Sequence, residues 1–169
     1  MRAALKAAKV RLMGFDVDGV LTDGTLYFTS AGDEMKAFNS LDGHGIKLLM
    51  AAGVEVAIIS GRSSDALRLR AENLGIGELH MGVEDKAGCL AALLAARGLE
   101  SGAAGYMGDD VVDLAILRAC GFSATPGDGH AEVRREVDYV CRAGGGRGAV
   151  REVCELLIAA RGGTVGAGA

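Results

Sequence analysis

No two cysteines in this sequence are spaced to share a metal or to exchange disulfides. Cys89, Cys120, Cys141 and Cys154 stand far apart with no CxxC pair among them, so zinc ribbons and thiol oxidoreductases are excluded. The four read as unpaired thiols, mostly in the core of a protein kept in a reducing compartment. Long apolar runs are also missing: the longest clean one, LAALLAA, is far short of the roughly 20 residues a membrane helix needs. The first residues, MRAALKAAKVR, scatter cations where a signal peptide keeps an unbroken apolar core. There is no excess of positive charge, because the formal balance is -4, and nucleic-acid surfaces are usually basic. Proline occurs once and aromatic residues make up 4%, yet half of the 169 residues are apolar, which argues against extended disorder. The expectation is a soluble cytoplasmic protein, a single domain over 1–169 that is large enough to bury a core, with no membrane or nucleic-acid partner.

What is there is an alternation. Short β-rich runs at 10–15, 54–59, 78–81, 104–107, 122–125 and 138–141 are separated by helical stretches such as IKLLMAAG, SSDALRLRAENLG, KAGCLAALLAARG and AVREVCELLIAARG. That order predicts a three-layer, Rossmann-like α/β fold with a parallel sheet. One segment breaks the pattern. Residues 21–39, LTDGTLYFTSAGDEMKAFN, read as a β-hairpin about a polar turn, and Leu26, Phe28, Met35 and Phe38 give it more apolar surface than a lone hairpin can bury. The stretch 162–169, GGTVGAGA, has almost no side chain to pack and reads as a mobile tail.

In an open parallel sheet, ligands bind beyond the carboxyl ends of the strands. The residues expected there are Asp16 and Asp18 after the first strand; Ser60, Gly61 and Arg62 after the second; Lys86 at the start of a helix; and Asp109 and Asp110 after the fourth, with Asp113 one turn on. So many carboxylates on one rim require a cation. All-oxygen ligands with open positions suit Mg²⁺, which keeps waters and accepts phosphate oxygens. Lys86 and Ser60 can hold phosphate oxygens and a carboxylate can attack, which is the equipment of phosphoryl transfer. His44, His80 and His130 show no ligand spacing and read as structural or surface residues. Phospho-receiver domains collect the same residue types, but their lysine follows the other motifs, whereas here Lys86 precedes the last acidic cluster.

DVDGVLTDG, Ser60, Lys86 and GDDVVD, in that order, resemble the four motifs of the haloacid dehalogenase (HAD) superfamily of phosphohydrolases. The resemblance implies Asp16 as the nucleophile that forms an aspartyl-phosphate and Asp18 as general acid and base. It also implies Mg²⁺ on Asp16, Asp109 and the Asp18 carbonyl, with Asp110 and Asp113 orienting metal waters or Lys86. Strand alternation would send Asp16 and Asp18 to one side, and a turn at Gly19 would let one face phosphorus and the other the leaving group. Too few residues lie between the motifs for a cap domain.

Over residues 10–162 the chain is similar to a capless branch, the 3-deoxy-D-manno-octulosonate 8-phosphate (KDO 8-phosphate) phosphatases, through FNSLDGHGIKLL, VAIISGRSSDALRLRAENLGI, GDDVVDLAIL and DYVCRAGGGRGAVREVCELLI. That branch frees phosphate from an eight-carbon sugar acid made for lipopolysaccharide, and its hairpins assemble a homotetramer in which a neighbour covers the site. The resemblance points to Arg62, and also Arg70, as partners for the substrate's carboxylate. The chain departs from the branch at Leu41, where an arginine is more usual, and through SATPGDGHAEV. A nine-carbon ulosonate 9-phosphate or another small sugar phosphate is the alternative substrate, and an assembly module with little activity is the second alternative.

Overall fold

The computed structural model describes residues 2–164. Six parallel strands form one sheet in the order β5-β4-β1-β6-β7-β8. They are β1 (Leu12–Phe15), β4 (Glu55–Ile59), β5 (Glu78–His80), β6 (Ala104–Met107), β7 (Phe122–Thr125) and β8 (Tyr139–Val140). A separate antiparallel pair, β2 (Tyr27–Phe28) and β3 (Glu34–Met35), forms the hairpin. The helices are α1 (Arg2–Ala7), α2 (Ser40–Ala51), α3 (Asp65–Leu74), α4 (Lys86–Arg97), α5 (Leu114–Ala119), α6 (Ala131–Glu136) and α7 (Ala149–Ala160).

Strand alternation divides the core in two. Met13 and Phe15 of β1 face a layer built from α2, α3 and α7, whereas Leu12 faces α4, α5 and α6. Gly14 shares the Leu12 side, and its missing side chain is the reason the ring of Tyr106 fits there: a Cβ would lie 2.7 Å from Tyr106 Cδ2. The buried Tyr106 hydroxyl then donates to the Ile59 carbonyl at 3.0 Å, tying β6 to the end of β4 across β1.

Strands β6 and β7 coincide with the runs read from sequence, while the others are shorter at one or both ends. The hairpin differs more. Residues 21 and 22 are not strand: the N–H groups of Val20, Leu21 and Thr22 all converge on the Val17 carbonyl at 3.2, 2.9 and 3.0 Å, which curls the chain into a tight buried turn. Only two residues on each side pair beyond it, Tyr27 with Met35 and Phe28 with Glu34. Thr29 and Asp33 close the polar turn, with the Asp33 N–H donating to Thr29 Oγ1 at 3.1 Å. Two helices had no expectation. α1 hides in the cation-scattered start, where Lys6 pairs with Asp138 at 2.6 Å. α6 is a short helix that begins in the last residues of the altered stretch. Of the stretch 162–169, Gly162 and Gly163 still hydrogen-bond back to Ala159 and Ile158; the rest of the expected tail, 165–169, lies outside the described residues.

The last helix is fastened to the first half of the chain by a buried carboxylate. Asp42, 1% exposed, accepts from the Gly148 N–H at 3.2 Å and the Arg151 N–H at 2.8 Å, so a side chain of α2 caps the start of α7. The loop before α7 rests on the turn that follows β1: the Gly146 N–H donates to Val20 O at 2.9 Å, and Asn39 Nδ2 donates to Gly146 O at 3.2 Å. Asp42→Ala strands those buried donors, and we expect it to lower unfolding stability by about 2 kcal/mol. Urea unfolding checks this: the midpoint falls while the slope stays unchanged.

Candidate active site

Adjacent strands deliver the acids. Asp16 is the first residue past β1, its N–H still donating to Met107 O of β6 at 3.0 Å, and Asp109 lies two residues past β6. Between them sits Gly19, with φ of +87°, a conformation glycine adopts without strain. A Cβ there would fall 2.1 Å from Asp109 Oδ2, so the turn and the carboxylate occupy neighbouring space that only glycine leaves free.

Lys86, the first residue of α4, is buried, with its ammonium 2.9 Å from Asp16 Oδ2 and 2.7 Å from Asp113 Oδ1. Burial alone would pull its pKa down, but Asp16 and Asp113 outweigh that and hold it above the usual lysine value. Asp113 is wholly buried, and its other oxygen accepts from the N–H groups of Asp109 at 3.1 Å and Asp110 at 3.4 Å. Asp110 caps the following 3-10 turn, accepting from the Val111 N–H at 2.7 Å. Ser60 directly follows β4; its hydroxyl accepts from the Arg62 N–H at 3.2 Å. His80 O, at the end of β5, receives the Ser60 N–H at 2.9 Å.

These residues surround one cavity of about 510 Å³, lined by Asp16, Asp18, Ser60, Gly61, Arg62, Lys86, Asp109 and Asp110. Asp113 lies beneath the cavity and does not line it. Arg70 is not brought there within the chain: it bonds Asn39 O at 3.2 Å and Asn73 Oδ1 at 3.3 Å, sits 5.8 Å from the Phe38 ring centre, and shares a shallow depression with His44 and Lys47. Sequence reasoning missed Val83, Glu84 and Val112, which complete the lining, and the hairpin residues Lys36, which pairs with Asp18, and Glu34, which pairs with Lys36. Lys36 and Glu34 lie on alternate positions about the exposed Met35, the period-two signal that could have found them.

Carboxylate oxygens of Asp16, Asp109 and Asp113 lie within 4.8 Å of one another. Such crowding in a dry place is unfavourable for anions. Burial first, and then the charge of Asp113, pushes Asp16 up to about 6; burial and then Asp16 push Asp109 up to about 7. Both of Asp113's oxygens are already taken by Lys86 and two N–H groups, so Asp16 and Asp109 are the carboxylates free to hold an ion. A hard divalent cation with oxygen ligands fits that pair.

No family model matches the chain. It is 42% identical to the 3-deoxy-D-manno-octulosonate 8-phosphate phosphatase KdsC of Yersinia pestis over 156 residues, covering 92% of this chain and 83% of that protein. The chain belongs to the KDO 8-phosphate phosphatase family. A crystal structure of the Moraxella catarrhalis KDO 8-phosphate phosphatase, in complex with magnesium, phosphate and KDO, matches with a TM-score of 0.92 at 41% identity, over 95% of this chain and 92% of that one. A putative HAD superfamily (subfamily III A) hydrolase of Legionella pneumophila matches with a TM-score of 0.93 at 38% identity, over 95% and 88% of the two chains. The family thus places the parallel sheet and its acidic rim among HAD phosphatases, and no cap domain is present among the described residues. No helix there is long and apolar enough to cross a membrane.

The raised carboxylates set a pH dependence. A group whose pKa is higher in the folded chain than its ordinary 3.8 favours folding at low pH, and that contribution is lost as pH rises through the folded values of about 6 and 7. A cation on Asp16 and Asp109 replaces those protons. The thermal midpoint of the metal-free protein should therefore gain more from added Mg²⁺ at about pH 8 than at about pH 5.5, a difference read by differential scanning fluorimetry.

Proposed function

We propose that this chain is a Mg²⁺-dependent phosphatase that converts KDO 8-phosphate to KDO and phosphate in lipopolysaccharide precursor synthesis, working in the cytoplasm. The observation that carries this reading is the Moraxella catarrhalis relative, which holds magnesium, phosphate and KDO on a fold that this chain matches over 95% of its length. The cavity at the carboxyl ends of the central strands offers each kind of group the reaction needs.

Asp16 attacks phosphorus through a carboxylate oxygen; the bond from phosphorus to the sugar oxygen breaks, and an aspartyl-phosphate forms. Asp18, two residues on, protonates the departing oxygen. It then takes a proton from the water that attacks the aspartyl-phosphate, which frees phosphate and restores Asp16. Lys86, fixed between Asp16 and Asp113, and the Ser60 hydroxyl hold phosphoryl oxygens. A bound Mg²⁺, held by Asp16, Asp109 and the Asp18 carbonyl, would offset the negative charge of the phosphoryl group. Asp110 and Asp113 fix the Asp109 segment through the 3-10 turn that follows it. Arg62 lines the cavity with its side chain half-exposed and would offer its guanidinium to the sugar acid's carboxylate.

The hairpin supports assembly as a homotetramer. Leu26, Tyr27, Phe28 and Met35 are exposed apolar residues on one small element, and Leu41 adds to them. A second copy covering that surface would also close a cavity that no cap domain shields. Arg70, which lies outside the cavity of its own chain, belongs in this reading with the assembled enzyme.

Phosphate release from KDO 8-phosphate, a nine-carbon ulosonate 9-phosphate, hexose phosphates and a phosphopeptide tests the reading. The expected result is a strong preference for the eight-carbon acid that EDTA abolishes. Preference for the nine-carbon acid would keep the chemistry and replace the substrate; no release from any of them would leave an assembly module. Asp16→Asn should lower turnover by on the order of 10⁴-fold or more while the circular dichroism spectrum stays that of the native chain. Retained activity would remove Asp16 as nucleophile.

A further inference from the structure

Lys36 belongs to none of the four motifs, yet its side chain is 2% exposed, drier than the 7% of Lys86. Lysine is almost never fully buried unless it is paired. Here the ammonium is gripped by two carboxylates, Asp18 Oδ1 and Glu34 Oε1, the latter at 3.0 Å. The other oxygen of Asp18 faces Arg62 Nε at 3.6 Å, and Arg62 Nη2 reaches back to Glu34 Oε1 at 3.3 Å. Two acids and two cations therefore alternate in a ring, and three of the four side chains come from outside the turn that carries Asp18.

The two cations of the ring differ in what they can reach. Arg62 lines the cavity and is 48% exposed, so an anionic substrate competes with Asp18 for it. Lys36 does not line the cavity. When substrate draws Arg62 away, Lys36 remains as the partner of Asp18. Glu34 divides the ammonium's charge, so Asp18 is aimed without sole possession of a full positive charge. Strand alternation makes this possible: Glu34 and Lys36 point inward on either side of Met35, which is 63% exposed on the outer face.

We propose that Lys36, anchored by Glu34, is a positioning residue that holds the Asp18 carboxylate towards the oxygen leaving phosphorus, so that the hairpin supplies part of the catalytic apparatus of its own chain. This rests on the reading of Asp18 as proton donor and acceptor, and the test separates the two ideas.

The test compares Lys36→Met, Lys36→Arg, Glu34→Gln and Asp18→Ala on two substrates. KDO 8-phosphate has an alkoxide leaving group that needs a proton. 4-Nitrophenyl phosphate releases a phenolate that does not, so a misdirected Asp18 leaves formation of the aspartyl-phosphate intact and slows only its hydrolysis. For Lys36→Met we expect kcat on KDO 8-phosphate to fall about 10²-fold with KM changed little, the loss typical of general acid catalysis. With 4-nitrophenyl phosphate, rapid mixing should show a burst of one nitrophenolate per site followed by slow turnover. Asp18→Ala should show the same pattern more strongly, Lys36→Arg should recover part of the rate, and Glu34→Gln should show it at smaller amplitude. Equal loss of burst and turnover on both substrates in the Lys36 and Glu34 variants would overturn the proposal, as would wild-type kcat on the sugar phosphate. If Asp18→Ala itself gives no burst, the role of Asp18 fails and the proposal with it.

Discussion

One buried ammonium among three carboxylates is the constraint around which the rim is arranged. Lys86 begins α4, where the helix dipole is positive and a cation is disfavoured. It is held there by Asp16 at 2.9 Å and Asp113 at 2.7 Å, while Asp85 caps the same helix from outside through the Gly88 N–H. Removing Lys86 would leave buried carboxylates without their counter-charge, a loss that typically costs about 3–5 kcal/mol. The fold accordingly fixes each member from a different direction. β1 and β6 are neighbours, so Asp16 and Asp109 end up side by side, and the 3-10 turn after Asp110 folds Asp113 back beneath them.

Within that cluster the acids divide by how completely their oxygens are used. Asp113 is saturated by Lys86 and two backbone N–H groups, which makes it part of the floor. Asp16 and Asp109 keep open oxygens at the cost of raised pKa values, which is the condition of groups waiting for a cation and a phosphoryl group. Asp18 stands apart, outside the reach of Lys86 and inside a second ring of charges with Lys36, Glu34 and Arg62. Asp16 and Asp18 thus have separate electrostatic surroundings although one residue lies between them. Two carboxylates can hold different tasks only when their environments differ.

The acids, Ser60 and Lys86 were legible because each follows a strand or opens a helix whose local pattern is strong, and the strand order then brings those ends together. Ala104–Met107 and Phe122–Thr125 were legible to the residue for the same reason: both are short apolar runs closed by turn formers. What escaped depends on contacts distant in sequence. Lys36 and Asp18 are separated by 18 positions, and nothing local marks a lysine of a polar hairpin as buried. The curl at residues 17–22 is set by a single carbonyl receiving three N–H groups, whereas residue types alone suggest a strand. Arg70 reads as a partner for the substrate's carboxylate, but Asn39 O and the Phe38 ring hold it in a depression outside the cavity.

Asp42 and the glycine loop before α7 give the chain a direction in time. Every carboxylate of the rim, together with Ser60 and Lys86, lies in residues 16–113, so the chemical groups have all been synthesised while the last third of the chain is still being made. The turn that carries Asp18 and Gly19 is nevertheless braced by Gly146, and the helix behind that loop is capped by Asp42 only when Gly148 and Arg151 arrive. A nascent chain therefore carries the complete set of reactive residues without the support that shapes them. The site is completed from its far end: until the loop before the final helix arrives, the turn that bears Asp18 and Gly19 lacks the Gly146 contact that braces it.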